Sequence, residues 1–128
     1  AKAFTESFLQ ENFSPNEVDI LIFLARNPSL NTGKDLGVCL DVSKGLICRS
    51  VDSLIKKGLL SAGDDETDRR IQRLVLTEKA DPVVQEIFQV NQEIFQDILR
   101  DIPEEEIRQM EATLKKIIEK FHERLEIK

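Results

Sequence analysis

The sequence predicts a mainly α-helical chain carrying one small β-hairpin. Three observations carry that expectation. Apolar residues recur at helical spacing through most of the 128 residues, two short helical segments meet at a tight turn near residue 41, and two short strand-like segments follow within residues 58–76. With 41% apolar and 33% charged residues the chain has the composition of a globular domain, and its length is that of one domain. Such a chain buries enough surface to hold a core without disulfide or metal staples, so its two cysteines read as reduced thiols rather than as a secreted framework. No apolar run approaches the roughly 20 residues that cross a bilayer, and the N-terminus lacks the charged-then-apolar pattern of a signal segment. A cytoplasmic protein with no membrane partner is expected.

Phe4, Phe8 and Leu9 form an i, i+4 apolar stripe on a short first helix. Ser14-Pro15-Asn16-Glu17 then places a capping serine before a proline at the first helical position, with glutamate three residues on, which starts a helix that runs to Arg26. Asn27-Pro28 stops it. A short helix follows from about Thr32 to Cys39, the turn Asp41-Val42-Ser43 comes next, and Ser43 caps a helix through Lys57. On that helix Ile47, Val51, Leu54 and Ile55 share one face, with Lys44, Arg49, Asp52, Ser53 and Lys56 on the other, and Gly58 supplies the left-handed residue past its end. Residues 58–62 and 71–76 read as strands joined by a polar loop. Two short helices, a tight turn and a hairpin in this order make a winged helix-turn-helix.

From Thr77 onward the chain reads as helix. Pro82 is too deep for a helix that begins at Thr77, so the continuous helix is placed from an Asp81 cap, with a seam of Val84, Ile87, Phe88, Asn91, Ile94, Phe95, Ile98 and Ile102. Asp101-Ile102-Pro103 breaks it. A last helix opens on Glu104, Glu105 and Glu106, where carboxylates suit the helix dipole, and carries Ile107, Met110, Leu114, Ile117, Ile118, Phe121 and Leu125 on one side. These stripes exceed what the small winged part can cover, and a partner subunit is the simplest cover. The organisation expected is a single domain over residues 1–128, with residues 14–77 as the winged helix-turn-helix and residues 1–13 and 78–128 as a helical dimerisation region.

The formal net charge of −6 argues at first against nucleic acid. The distribution does not. Residues 32–76 carry 8 basic and 7 acidic side chains, whereas residues 77–128 carry 8 and 13, so the winged part is the electropositive portion of an acidic chain.

The stretch Asp41-Val42-Ser43-Lys44-Gly45-Leu46-Ile47-Cys48-Arg49-Ser50-Val51-Asp52-Ser53-Leu54-Ile55-Lys56-Lys57-Gly58-Leu59-Leu60, followed by Asp68-Arg69-Arg70 and Leu76-Thr77-Glu78-Lys79, resembles the MarR family of bacterial regulators. The resemblance runs from about Phe8 to Leu125, and it is specific as a combination where each part alone is weak. It implies a homodimeric regulator of transcription, more often a repressor, in which each subunit reads half of a pseudo-palindromic operator in double-stranded DNA. It assigns Ser43, Lys44, Gly45, Cys48, Arg49 and Ser53 to the recognition helix, Arg69 and Arg70 to the wing, and Asp68 to a salt bridge that holds the wing arginines. The chemistry suits those roles, because an arginine fork matches guanine, a helix N-terminus binds phosphate, and arginine fits a narrow minor groove. A small aromatic or phenolic effector is expected between the dimerisation helices and the winged part, with Phe8, Phe13, Ile22 and Phe23 as candidate walls.

The chain departs from the family pattern at several places. Ala62 and Ala80 replace the usual arginine and glycine, Cys48 stands where serine or threonine is common, and the wing tip Asp64-Asp65-Glu66 is acidic. That tip predicts weak, steeply salt-dependent binding, and it motivates the competing expectation of a winged-helix protein-interaction module that does not bind DNA. Bland readings stand beside each assignment: a solvated helix face for Lys44 and Arg49, a simple hairpin ion pair for Asp68, dimer core for the early phenylalanines, and partly buried packing thiols for Cys39 and Cys48. An enzyme is not expected. There is no phosphate loop, no nucleophile elbow and no metal motif, and His122 is the single histidine; no catalytic residue, metal or cofactor is assigned.

Overall fold

The structure, a computed structural model, describes residues 9–127, so Phe4 and the candidate wall residue Phe8 lie outside the described residues. Residues 9–12 are helical. The elements that follow are α1 (Pro15–Arg26), α2 (Gly33–Leu40), α3 (Lys44–Lys56), β1 (Leu60–Asp64), β2 (Gln72–Leu76), α4 (Ala80–Ile98) and α5 (Glu104–Ile127). This is the mainly α chain with a two-stranded wing that the sequence predicts. The chain forms two compact units that divide between Glu93 and Ile94.

In the first unit α1 is the central helix. Ser14 Oγ accepts from the Glu17 amide at 3.2 Å and Glu17 Oε1 accepts from the Ser14 amide at 3.0 Å, so the expected capping box is present, with Pro15 at the start of the helix. Ile20 and Leu21 are fully buried and Leu24 nearly so. Leu36 of α2, Ile47 and Leu54 of α3, Leu59, Leu60 and Leu74 of the hairpin region, and Ala80, Val84, Ile87 and Val90 of α4 complete one apolar cluster that also takes in Leu9. Fully burying a side chain of this size stabilises by about 1.5–3 kcal/mol, so the cluster holds the helix-turn-helix rigidly against α1.

The hairpin is antiparallel, pairing Leu60 with Leu76 and Asp64 with Gln72. Its first strand starts later and ends later than the sequence predicts. Gly58, at φ 78°, still belongs to the end of α3: its amide donates to Ile55 O and that of Leu59 to Leu54 O, the paired bonds of a Schellman motif. At the far end Gly63 and Asp64 extend the ladder into the loop. The Thr77 segment folds back on the same helix end. Thr77 Oγ1 donates to Gly58 O at 2.6 Å and its amide to Leu59 O, so the two sequence motifs that flank the wing in the sequence are hydrogen-bonded to each other.

α4 begins at Ala80, one residue before the expected Asp81 cap, after turn bonds from Ala80 to Thr77 and from Asp81 to Glu78. Pro82 therefore sits in the first turn, where its missing N–H removes no helix bond. The buried positions run Val84, Ile87, Val90; Asn91, placed in the seam from sequence, is exposed, because Val90 takes the inward position. In the second unit α5 follows Pro103 with three glutamates in its first turn. Met110, Leu114, Ile117, Phe121 and Leu125 recur at three- and four-residue spacing and are 46–67% exposed, an unpaired apolar stripe.

Candidate functional site

The turn between α2 and α3 is built by three local devices. Thr32 caps α2 in a reciprocal pair with Asp35. Asp41 adopts the left-handed conformation at φ 54°, and the Val42 amide donates to Gly37 O at 3.1 Å. A Cβ at residue 37 would lie 3.3 Å from Val42 O, so a larger residue there would push the turn back by a few tenths of an ångström. Ser43 then starts α3, its Oγ accepting from the Leu46 amide at 3.3 Å; the hydroxyl keeps its own donor.

At about 100° per residue, Ile47, Ser50, Val51 and Leu54 point α3 into the core, where Ile47, Ser50 and Leu54 are buried. Lys44, Gly45, Cys48 and Arg49 fall within an arc of about 140° on the outside, and all four are exposed. Among the described residues neither Lys44 nor Arg49 has an ion-pair partner. Ser53 does not join them. It lies half a turn from Lys44, is half-buried, and donates to Glu17 Oε2 at 3.0 Å, so the outer polar face expected for it is corrected to a face against α1. Cys39 and Cys48, expected as partly buried packing thiols, are both exposed, because neither position faces the apolar cluster.

Glu17 is 6% exposed and is the buried carboxylate of the site. Besides capping α1 and accepting from Ser53, it pairs with Lys57 Nζ at 2.8 Å. Lys57 also donates to Asn12 O and lies 4.6 Å over the Phe13 ring. Burial pushes the Glu17 carboxyl up, but Lys57, the Ser14 amide and the Ser53 hydroxyl outweigh it, holding the group below the ordinary 4.5. The C-terminal end of α3 is thus anchored to the start of α1 and to the segment before it.

The wing is organised by its acidic tip. Asp65 Oδ2 accepts from the Thr67 amide, the Thr67 hydroxyl and the Asp68 amide, and Oδ1 accepts from Arg73 Nε at 2.8 Å; hydrogen bonds from Arg73 and Thr67 hold this carboxyl far below the usual range. Asp64 accepts from Gln72 Nε2. Asp68 takes the amide, Nε and Nη2 of Arg70 at 3.0–3.1 Å, and these bonds hold its carboxyl below the ordinary value. Arg70 itself stays 90% exposed, and Arg69 is exposed beside it. Sequence reasoning gave no role to Arg73, Asn31 and Lys57, because their partners, 8 to 42 residues away for Arg73, 43 for Asn31 and 40 for Lys57, are brought to them only by the fold.

Phe13, Ile22 and Phe23 are half-buried against the core. Open cavities among the described residues include one of about 340 Å³ between Pro28, Asn31 and Val75 and one of about 410 Å³ beside Lys34, Val38, Lys44 and Cys48. Neither is lined by Phe13, Ile22 or Phe23. Among the described residues no three His, Cys, Asp or Glu side chains gather as metal ligands, and no helix is long and apolar enough to cross a membrane.

An α2–turn–α3 unit backed by α1 and flanked by a β-wing defines a winged helix-turn-helix protein. Residues 11–71 match the profile of the MarR family. Solved structures with the same fold include a MarR transcriptional regulator from Methanosarcina mazei Go1, 19% identical over 95% of this chain and 88% of that one with a TM-score of 0.74. They also include MepR of Staphylococcus aureus, a transcription regulator of the multidrug efflux pump MepA, 20% identical over 94% and 89% with a TM-score of 0.68. A complex of the same MepR with DNA matches at 21% identity over 94% and 88%, with a TM-score of 0.69.

Proposed function

We propose that this protein is a sequence-specific DNA-binding regulator of transcription that acts as a homodimer on a pseudo-palindromic operator, in the repressor mode, with a small aromatic effector. The observation that carries the reading is the outer face of α3, where Lys44, Gly45, Cys48 and Arg49 are exposed together and the two cations are unpaired among the described residues, while the opposite face is anchored by the core and by Glu17. That is the arrangement a recognition helix needs: donors outward, backbone fixed. Arg70 and Arg69 extend the cationic surface to the wing. The DNA complex of MepR supports the reading by its shared fold.

The dimer rests on the uncovered apolar stripe of α5, and on Ile94, Phe95 and Ile98 of the second unit, which are 39–68% exposed. In the repressor mode an effector lodged against Phe13, Ile22 and Phe23 alters the separation of two recognition helices from one DNA turn, roughly 34 Å. Thermal stabilisation by millimolar phenolic acids tests that part. The whole is tested by gel-shift titration on the DNA upstream of the protein's own gene, with scrambled competitor and at two salt concentrations. Preferential binding that weakens with salt and loses its preference in Arg49→Ala is the expected result. Equal binding to scrambled DNA at low salt overturns it in favour of a protein-interaction module.

A further inference from the structure

The wing meets the loop between α1 and α2 at Asn31. Its carbonyl accepts from the Leu74 amide at 2.8 Å and its side-chain Nδ2 donates to Leu74 O at 2.9 Å, so a single residue brackets β2 as a third strand would. The remaining amide oxygen of Asn31 accepts from Arg73 Nη1 at 3.0 Å, and the same guanidinium uses Nε to hold Asp65. Asp65 in turn fixes the Thr67 and Asp68 amides, and Asp68 grips Arg70. One unbroken chain of hydrogen bonds therefore runs from the loop that opens the helix-turn-helix to the exposed guanidinium at the wing tip.

We propose that Arg73 is a positioning residue for DNA binding: bridging Asn31 and Asp65, it sets the place of Arg70 relative to the recognition helix. The inference rests on the regulator reading above and deepens it. Arg73 differs from Arg69 and Arg70 in being committed inward. Its guanidinium spends donors on two acceptors that belong to different segments, a geometry that suits the planar arginine fork and that a lysine ammonium does not reproduce. Asp65 is then the reason an acidic wing tip coexists with a DNA-binding wing, since its charge is used to shape the loop.

The test is fluorescence-anisotropy titration of the full chain on its upstream duplex, comparing Asn31→Ala, Arg73→Met, Arg73→Lys and Arg70→Ala, with amide exchange at Thr67 and Asp68 as a second readout. Asn31→Ala leaves the charge unchanged and keeps the test alive if an Arg73 variant folds poorly. We expect Asn31→Ala, Arg73→Met and Arg73→Lys each to weaken binding about 5- to 20-fold, and Arg73→Met to add less than about twofold once Arg70 is already alanine, because coupled residues are not additive. Exchange at Thr67 and Asp68 should quicken about tenfold in the Asn31 and Arg73 variants. Full additivity with Arg70→Ala, rescue by lysine, or unchanged affinity overturns the positioning role. A wild-type chain with no preference for any duplex overturns the regulator reading instead, and the exchange measurement then decides separately whether the strap holds the wing, unchanged rates overturning it.

Discussion

Glu17 and Lys57 stand 40 residues apart in sequence and 2.8 Å apart in space, joining the first turn of α1 to the residue that caps α3. A carboxylate 6% exposed with an ammonium and two further donors is the polar hinge of an otherwise apolar packing between these helices. Because Glu17 also caps α1, one side chain fixes both the start of the central helix and the end of the candidate recognition helix.

Removing one partner leaves the other without compensation. Lys57→Met should cost about 1–3 kcal/mol in urea unfolding, less than a fully buried pair would lose because the lysine is 35% exposed. Exchanging both residues together, Glu17→Gln with Lys57→Met, should cost less than the sum of the single changes.

The same pair gives a pH dependence of known sign. Glu17 is held below 4.5 in the native state, so the unfolded chain binds its proton more readily. Its contribution is fully present above the unfolded value and is lost as pH falls through the lowered native one. Urea unfolding of Glu17→Gln should show a shallower loss of stability below about pH 4.5 than the wild type.

On α3, Arg49→Ala should lower the preference for operator over scrambled DNA by about 1–3 kcal/mol, whereas Lys44→Ala should weaken both alike and reduce the logarithmic salt slope by about 1. Gel-shift titrations at several salt concentrations separate the two effects.

Neutralising the wing tip tests what its acids are for. If repulsion of phosphate dominated, Asp65→Asn would tighten DNA binding. The four hydrogen bonds on Asp65 lead to the opposite expectation: Asp65→Asn weakens binding in anisotropy titrations, and Asp64→Asn, which loses only the Gln72 contact, changes it less.

The exposed stripe of α5 predicts that the chain sediments as a dimer and that Leu114→Asp with Phe121→Asp shifts it to one chain, read by analytical ultracentrifugation.

The fold was legible wherever local chemistry decides it. Ser14, Pro15 and Glu17 announce α1, Ser43 announces α3, and Gly58 ends it as expected. Helical periodicity put Lys44 and Arg49 on the outer face of α3, and the family resemblance added Gly45 and Cys48; all four are exposed. What escaped depends on neighbours distant in sequence. Ser53 has the chemistry of an outer-face residue, yet helix rotation turns it toward Glu17. Asn91 suited a seam by spacing, until Val90 took the inward position. The acidity of Asp65 read as a handicap for DNA binding, because nothing in a sequence tells a free carboxylate from one that closes a loop.

Asn31 also bears on the open edge of the hairpin. A two-stranded ribbon exposes a row of unsatisfied amides and carbonyls along its outer side, which another chain can extend into an intermolecular sheet. By occupying both backbone groups of Leu74, midway along β2, this single asparagine interrupts the row of amides and carbonyls that an added strand would use on that side of the hairpin.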